Sequence, residues 1–262
     1  MTTIPTLEAA WGTLHAHLRA QSFDTIKDIV GLGGVNLYAP ALAQLVQKQQ
    51  NGATKGQLMA AIEGELGRMM PEQRRHSVVL VAEELLRRVP ELQPALADDL
   101  RRHGWGLADN RLIPLELFDP AELGALPEIP RADLVKAAQR FRDGDLGGAI
   151  SAACGAVDSA VALVYRQHGL GDPNKASFQE GCNVALGAVA NFDAPLRALG
   201  WDDGTLKPFL QNFKGALNQG AYVMQVLRSK MGDVHGTKPI LKPLVFDALK
   251  WAELFVRTLT VH

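Results

Sequence analysis

The sequence holds only two cysteines, Cys154 and Cys182, both in apolar stretches with helical spacing. Small buried thiols are the expectation there rather than a disulfide. No Cys/His cluster has metal-ligand spacing, so neither a structural zinc site nor any other cofactor is implied. No apolar run approaches the ~18 residues that a membrane-spanning helix needs, and the amino-terminal MTTIPTLEAAWGTL lacks a basic patch followed by an apolar core. A cytoplasmic chain with no membrane partner is the expectation. There is no internal repeat and no low-complexity tract. With a formal net charge of -1, the chain is also not one that holds duplex nucleic acid through phosphate contacts alone.

What is present describes a folded protein with a substantial core: 47% of residues are hydrophobic and 21% charged, which argues against disorder. At 262 residues, two domains are expected. Up to Pro130 there are 12 Lys/Arg against 16 Asp/Glu, and beyond it 15 against 12. The second half is therefore slightly basic, which permits a nucleic-acid partner.

The first half reads as helices joined by turns. Leu7 to Ala20 and Phe23 to Val30 have helical periodicity, the second ending at Gly31-Leu32-Gly33-Gly34. Ala41 to Gln49 continues helical as far as an Asn51-Gly52 turn, followed by Gly56 to Met70 and Arg74 to Arg88. His103 to Pro114 differs, with two short apolar stretches around Asp109-Asn110. That pattern predicts a β-hairpin or an extended arm that must dock on helices. Phe118 to Pro130 contains three prolines and is the best linker candidate, which divides the chain into 1–125 and 126–262. Beyond it lie helical runs at Asp133 to Arg142 leading into Leu146 to His168, Ser177 to Leu199, Leu206 to Met231 and Pro243 to Leu259. Alanine, valine and leucine at spacings of three and four give them the broad apolar faces of a helical bundle. The fold class expected is mainly α, with a carboxy-terminal four-helix bundle preceded by a mostly helical domain carrying a short hairpin.

Several features invite a functional reading and do not sustain it. Neither Gly31-Leu32-Gly33-Gly34 nor the run from Asn51 to Gly56 has the spacing of a nucleotide-binding loop, since Lys55 precedes Gly56 rather than Ser or Thr. Arg74-Arg75, Arg87-Arg88 and Arg101-Arg102 recur about every fourteen residues and could form one cationic ridge. The simpler account is that such pairs complement the negative ends of helices. His15, His17, His76 and His168 have no acidic or cysteine partner at catalytic spacing, so surface or packing roles are expected.

One constellation carries chemistry. The third helix of the bundle ends in Leu227-Arg228-Ser229-Lys230-Met231-Gly232-Asp233-Val234-His235-Gly236. Arg228 and His235 are seven residues apart, about two turns, so a continuous helix would point both to nearly the same side. Gly232 and Gly236 loosen that end and Pro239 stops it. Imidazole is suited to proton transfer near neutral pH, and guanidinium is a fixed fork matched to a phosphate. On spacing alone, a helix cap and a surface residue are the more common account of such a pair.

The run from Leu227 to Gly236 resembles the signature of the abortive-infection carboxy-terminal family, and its R-x6-H spacing matches the R-x4–6-H motif of the wider HEPN superfamily. Gly144-Asp145-Leu146 and the stretch from Ala149 to Ser159 resemble that family's first bundle helix, and the likeness spans roughly Asp145 to Val261. The resemblance implies a HEPN-like bundle and a metal-independent endoribonuclease acting on RNA as a homodimer. An abortive-infection or toxin-like system with an antitoxin or regulatory partner would be its setting. Carried over, Arg228 stabilises charge on the scissile phosphate and His235 serves as general base or acid toward the ribose 2′-hydroxyl. Asp158 stands where the family usually has Glu, and Ser229 where Asn or Asp is common. Lys230 and Asp233 lie beside the pair, positioned either to handle substrate or as solvated helix-end charges. The segments TKGQLMAAIEGELG and HGWGLADNRLIP resemble regions ahead of such domains and imply a regulatory, sensing or dimerisation module. Two other readings stand beside this one: a non-catalytic HEPN-like module that binds RNA or protein, and a purely structural helical adaptor.

Overall fold

The computed structural model describes residues 7–47, 51–233 and 238–261. Among these the chain is mainly helical, with thirteen α-helices and one two-stranded antiparallel sheet. It divides into two compact units, Met1–Glu116 and Leu117–His262.

The first unit contains α1 (Leu7–Arg19), α2 (Phe23–Leu32), α3 (Pro40–Ala43), α4 (Lys55–Arg68), α5 (Pro71–Arg88), α6 (Gln93–Arg101), β1 (Trp105–Ala108) and β2 (Arg111–Pro114). Local chemistry sets the helix starts. Ser22 Oγ accepts from the Thr25 N–H at 3.1 Å to cap α2, and Thr54 forms a capping box with Gln57 on α4. One apolar cluster, including Leu14, Phe23, Ile26, Ile62, Val81, Leu85 and Leu100, unites these helices. The hairpin pairs Trp105 with Pro114 and Ala108 with Arg111. Asp109 and Asn110 sit at φ 49° and 60°, the pair of positive values that a two-residue turn of matching twist requires. Its strands dock on α5 and α6 and bury Trp105, Leu107, Leu112 and Ile113.

Two expectations change in this unit. Among the described residues this helix spans only Pro40–Ala43, rather than the expected run from Ala41 to Gln49; Lys48 and Gln49 lie outside the described residues, and the Leu45 and Val46 carbonyls are taken elsewhere. The Lys27 ammonium donates to the Leu45 carbonyl at 3.1 Å, and the Ala53 N–H donates to that of Val46 at 3.0 Å. His15 and His17 do have acidic partners, brought from distant helices. Glu63 lies 3.7 Å from His15 and Asp99 3.1 Å from His17. Of the arginine pairs, Arg87 and Arg88 close on Glu84 at the end of α5, and Arg88 also reaches Asp28. The Glu84 carboxyl is held down at about 2, chiefly by its hydrogen bond from Arg87.

The second unit contains α7 (Pro120–Gly124), α8 (Glu128–Arg142), α9 (Leu146–His168), α10 (Phe178–Val189), α11 (Asp193–Ala198), α12 (Asp203–Met231) and α13 (Lys242–Thr260). Helix α9 is its spine, packing against α8, α10, α12 and α13. This 23-residue helix is long and apolar enough to cross a membrane, contrary to the expectation from sequence. Two-thirds of its most apolar stretch (67%) is buried inside the unit, as in a core helix.

The segment expected as a linker is ordered: it forms α7 and the start of α8, and its Phe118 and Leu123 are fully buried. Gly144, at φ 84°, reverses the chain so that α8 and α9 lie side by side. The helix expected over Ser177 to Leu199 is two helices. Pro195 has no N–H to give the Asn191 carbonyl, so it sits in the first turn of a new helix, where no donor is needed.

Candidate functional site

Helices α9 and α12 build the region that the sequence singled out. Asp145 starts α9 by accepting from the Gly148 N–H at 2.9 Å, and Asp202 starts α12 by accepting from the Thr205 N–H at 3.2 Å. The two run antiparallel. Gly147 lies against the end of α12, where an added Cβ would come within 3.2 Å of the Met231 carbonyl. Farther along, the Cys154 thiol is 3.8 Å from the Met224 carbonyl. Helix α10 secures the other side of α12. The Gln179 and Asn183 amides each donate to Asn218 Oδ1 at 2.7 Å, and Gln225 Oε1 accepts from the Gln179 N–H at 3.0 Å.

Helical side chains lean toward their own amino terminus. Arg228 therefore reaches back along α12 and, since the helices are antiparallel, forward along α9 to Asp158. Arg228 Nη1 donates to Asp158 Oδ2 at 2.7 Å, with both side chains about half exposed, at 46% and 47%. Burial pushes the Asp158 carboxyl above its ordinary range; Arg228 opposes the shift, and nearby Asp133 adds to it. Asp133 is itself held by the Ser159 hydroxyl at 3.0 Å.

The other residues of the motif separate. Ser229 donates to the Val226 carbonyl of its own helix at 3.0 Å, away from Arg228, and Lys230 is exposed. Asp233 accepts from Arg140 of α8 at 3.1 Å and from the Ser151 hydroxyl of α9. These bonds, that from Ser151 foremost, lower the Asp233 carboxyl below its ordinary range. Asp233 is thus an exposed charge that also ties α12 to α8 and α9. His235 lies outside the described residues. The segment that carries it leaves α12 at Gly232, whose N–H donates to the Arg228 carbonyl at 3.1 Å, and is met again where the Lys238 N–H donates to the Lys230 carbonyl at 3.0 Å. A shallow cavity of about 350 Å³ lies beside this exit, lined among others by Gly147, Asp233, Lys238 and Ile240.

No protein-family model, curated protein or solved structure matches the chain. The functional reading rests on the residues themselves.

Among the described residues no group of three or more His, Cys, Asp or Glu is placed to hold a metal ion. Both cysteines are free and buried, and burial pushes each thiol up to about 12. Neither is a nucleophile at neutral pH. Reasoning from sequence missed Arg140 and Ser151. Their partner lies 93 and 82 residues away, and only the seven-residue interval from Ser151 to Asp158 hinted that both share one face of α9.

Proposed function

We propose that this chain is a metal-independent endoribonuclease of HEPN type, an effector of an abortive-infection or toxin-like system. The observation that carries the reading is the Arg228–Asp158 ion pair at the exposed end of α12. A guanidinium fixed by a carboxylate is a preorganised receptor for a phosphate, and it stands seven residues before an imidazole in a sequence that resembles the family signature. The arrangement of α9, α10, α12 and α13 in one unit is compatible with a HEPN-like bundle. In the proposed reaction His235 takes the proton of the ribose 2′-hydroxyl, whose oxygen attacks the adjacent phosphorus. The bond to the 5′-oxygen breaks, that oxygen takes up a proton from the protonated imidazole or from water, and Arg228 neutralises the added charge on the phosphate.

A direct test is to incubate purified protein with single-stranded RNA in a strong chelator and analyse the ends. Neither step requires a metal, so cleavage is expected to persist and to leave a 2′,3′-cyclic phosphate. Activity that disappears in chelator and returns with magnesium overturns the mechanism.

The reading also requires two copies, each bringing an Arg/His pair to one cleft, with α12 and α13 at an isologous interface. Exposed apolar side chains support this: Tyr222, Val223 and Val226 on α12, and Leu244, Trp251 and Leu254 on α13. Light scattering at micromolar concentration is expected to give the dimer mass. An active monomer contradicts the composite cleft.

One observation favours a second reading, a non-catalytic HEPN-like module that binds RNA or a partner protein. The Arg228 guanidinium is already engaged by Asp158. Under that reading, substitution of either motif residue weakens binding, and there is no cleavage to lose.

A further inference from the structure

We infer that one face of α12 is the track along which a single strand of RNA reaches Arg228, an inference that rests on the endoribonuclease reading for the identity of the strand. From Gly204 to Met231 this helix carries Lys207, Lys214, Arg228 and Lys230 and no aspartate or glutamate. Lys207, Lys214 and Arg228 are separated by multiples of seven residues. They therefore follow one side of the helix with a slow drift, over about 32 Å from first to last. Asn218 and Gln225, four and eleven residues after Lys214, fall on the same side. Lys207 and Lys214 are exposed, and Arg228 is half exposed.

The two amides complete a row of donors. Asn218 Oδ1 accepts from the Gln179 and Asn183 side chains of α10, each at 2.7 Å, and Gln225 Oε1 accepts from the Gln179 N–H at 3.0 Å. Both oxygens are thus engaged by α10, which leaves each NH2 group to donate beside the cations. Ammonium, amide and guanidinium donors in one line match a sugar–phosphate chain, and a single line of cations follows a single strand. Carboxylates meet the row only at its ends. Asp203 lies 3.1 Å from Lys207 in an exposed pair that a phosphate can displace, and Asp158 bonds Arg228 through Nη1, one of several donors on the guanidinium. The flanking α10 has one acidic residue, Glu180, whose charge acts on Tyr165 of α9. Val223 and Val226, in the proposed contact between copies, point to other sides of α12, so the strand and the second copy do not compete.

The test measures binding of a fluorescein-labelled 2′-O-methyl oligonucleotide, a single strand with no 2′-hydroxyl to attack, by the full chain. Lys214→Gln and the double variant Lys207→Gln/Lys214→Gln are compared with wild type, and Lys136→Gln, which changes an exposed lysine of α8, is the control. For a single strand, the slope of log affinity against log salt changes by about 0.7 for each phosphate contact. Lys214→Gln is expected to lower the slope by that amount and to weaken binding several-fold at low salt. The double variant should lose roughly twice as much slope, and the control nothing. Asn218→Asp keeps an oxygen for both α10 amides but puts an anion in the row, so it should weaken binding at least as much as Lys214→Gln at unchanged Tm. An unchanged slope in both lysine variants overturns the track. So does a control that loses as much as they do, or a wild-type chain that leaves the oligonucleotide unbound. Cleavage is read separately on unmodified RNA. If the wild type cleaves, KM should rise in the lysine variants while kcat holds. If it does not, the endoribonuclease reading falls and the binding slopes alone decide the track.

Discussion

His235→Ala and Arg228→Ala are each expected to lower RNA cleavage by at least ~10²-fold, the scale on which a general base or an oxyanion-type donor acts. The fold should tolerate both. Arg228 is half exposed, and its partner Asp158 is half exposed as well, so loss of the pair costs about 0–1 kcal/mol. Arg228→Lys is the sharper variant. It keeps the charge but replaces a planar fork with a point donor, and cleavage should remain strongly impaired. Kinetics and thermal unfolding on the same preparations separate catalysis from architecture. A motif that only supports the helix end gives the opposite result, a lowered Tm with a proportionate loss of all activities. If both alanine variants cleave at the wild-type rate, the assignment of chemistry to this helix end is wrong.

How far the sequence discloses such a site depends on the range of the interactions that build it. Helix starts at Ser22 and Thr54 and the turn at Asp109-Asn110 are decided within four residues, and they are legible. So are the apolar faces of α9 and α12, since burial follows helical periodicity. The breaks are harder to read. Proline and glycine between Phe118 and Pro130 suggest a linker, but Phe118, Leu123 and Leu126 are core residues, and three apolar side chains in a proline-rich stretch carry little periodicity. Length misled at Ser177 to Leu199, where a single proline decides between one helix and two. The apolar length of α9 was underestimated because Asp158 and the glycines interrupt a visual run without lowering the average below that of a membrane segment.

At the site, the sequence named Arg228 and Asp158 through a family resemblance, and it had no means of showing that they touch. That contact follows from antiparallel packing, which no local pattern encodes. Asp233 shows the same limit from the other side. Its neighbours in sequence left it an unassigned helix-end charge, and its actual partners come from α8 and α9. Arg140 and Ser151 had no distinguishing mark, since an arginine in a last turn and a serine in a small-residue helix are common.

Asp158 should separate function from stability. Burial raises its carboxyl pKa even though Arg228 stands against it, so the folded state binds that proton more tightly than an unfolded chain, where Asp titrates near ~3.9. The sign then follows from linkage. The contribution of this group to stability is fully present below the unfolded value and is lost as pH rises through the raised folded value. At neutral pH the ionised Asp158 therefore works against folding. Asp158→Asn removes that burden along with a half-exposed ion pair worth about 0–1 kcal/mol. Its melting temperature at pH 7 should match or exceed that of the wild type, and the difference should shrink as pH falls toward the ordinary carboxylate range. Cleavage should move the other way. Without the carboxylate the guanidinium is no longer held toward the phosphate, and kcat is expected to fall roughly tenfold to a hundredfold. Asp158→Glu, which restores the charge on a stem one methylene longer, should recover much of that rate. A stable Asp158→Asn protein with wild-type kcat would show that Arg228 needs no carboxylate to act, and an Asp158→Asn protein that melts well below wild type at pH 7 would show that the ion pair is there for the fold.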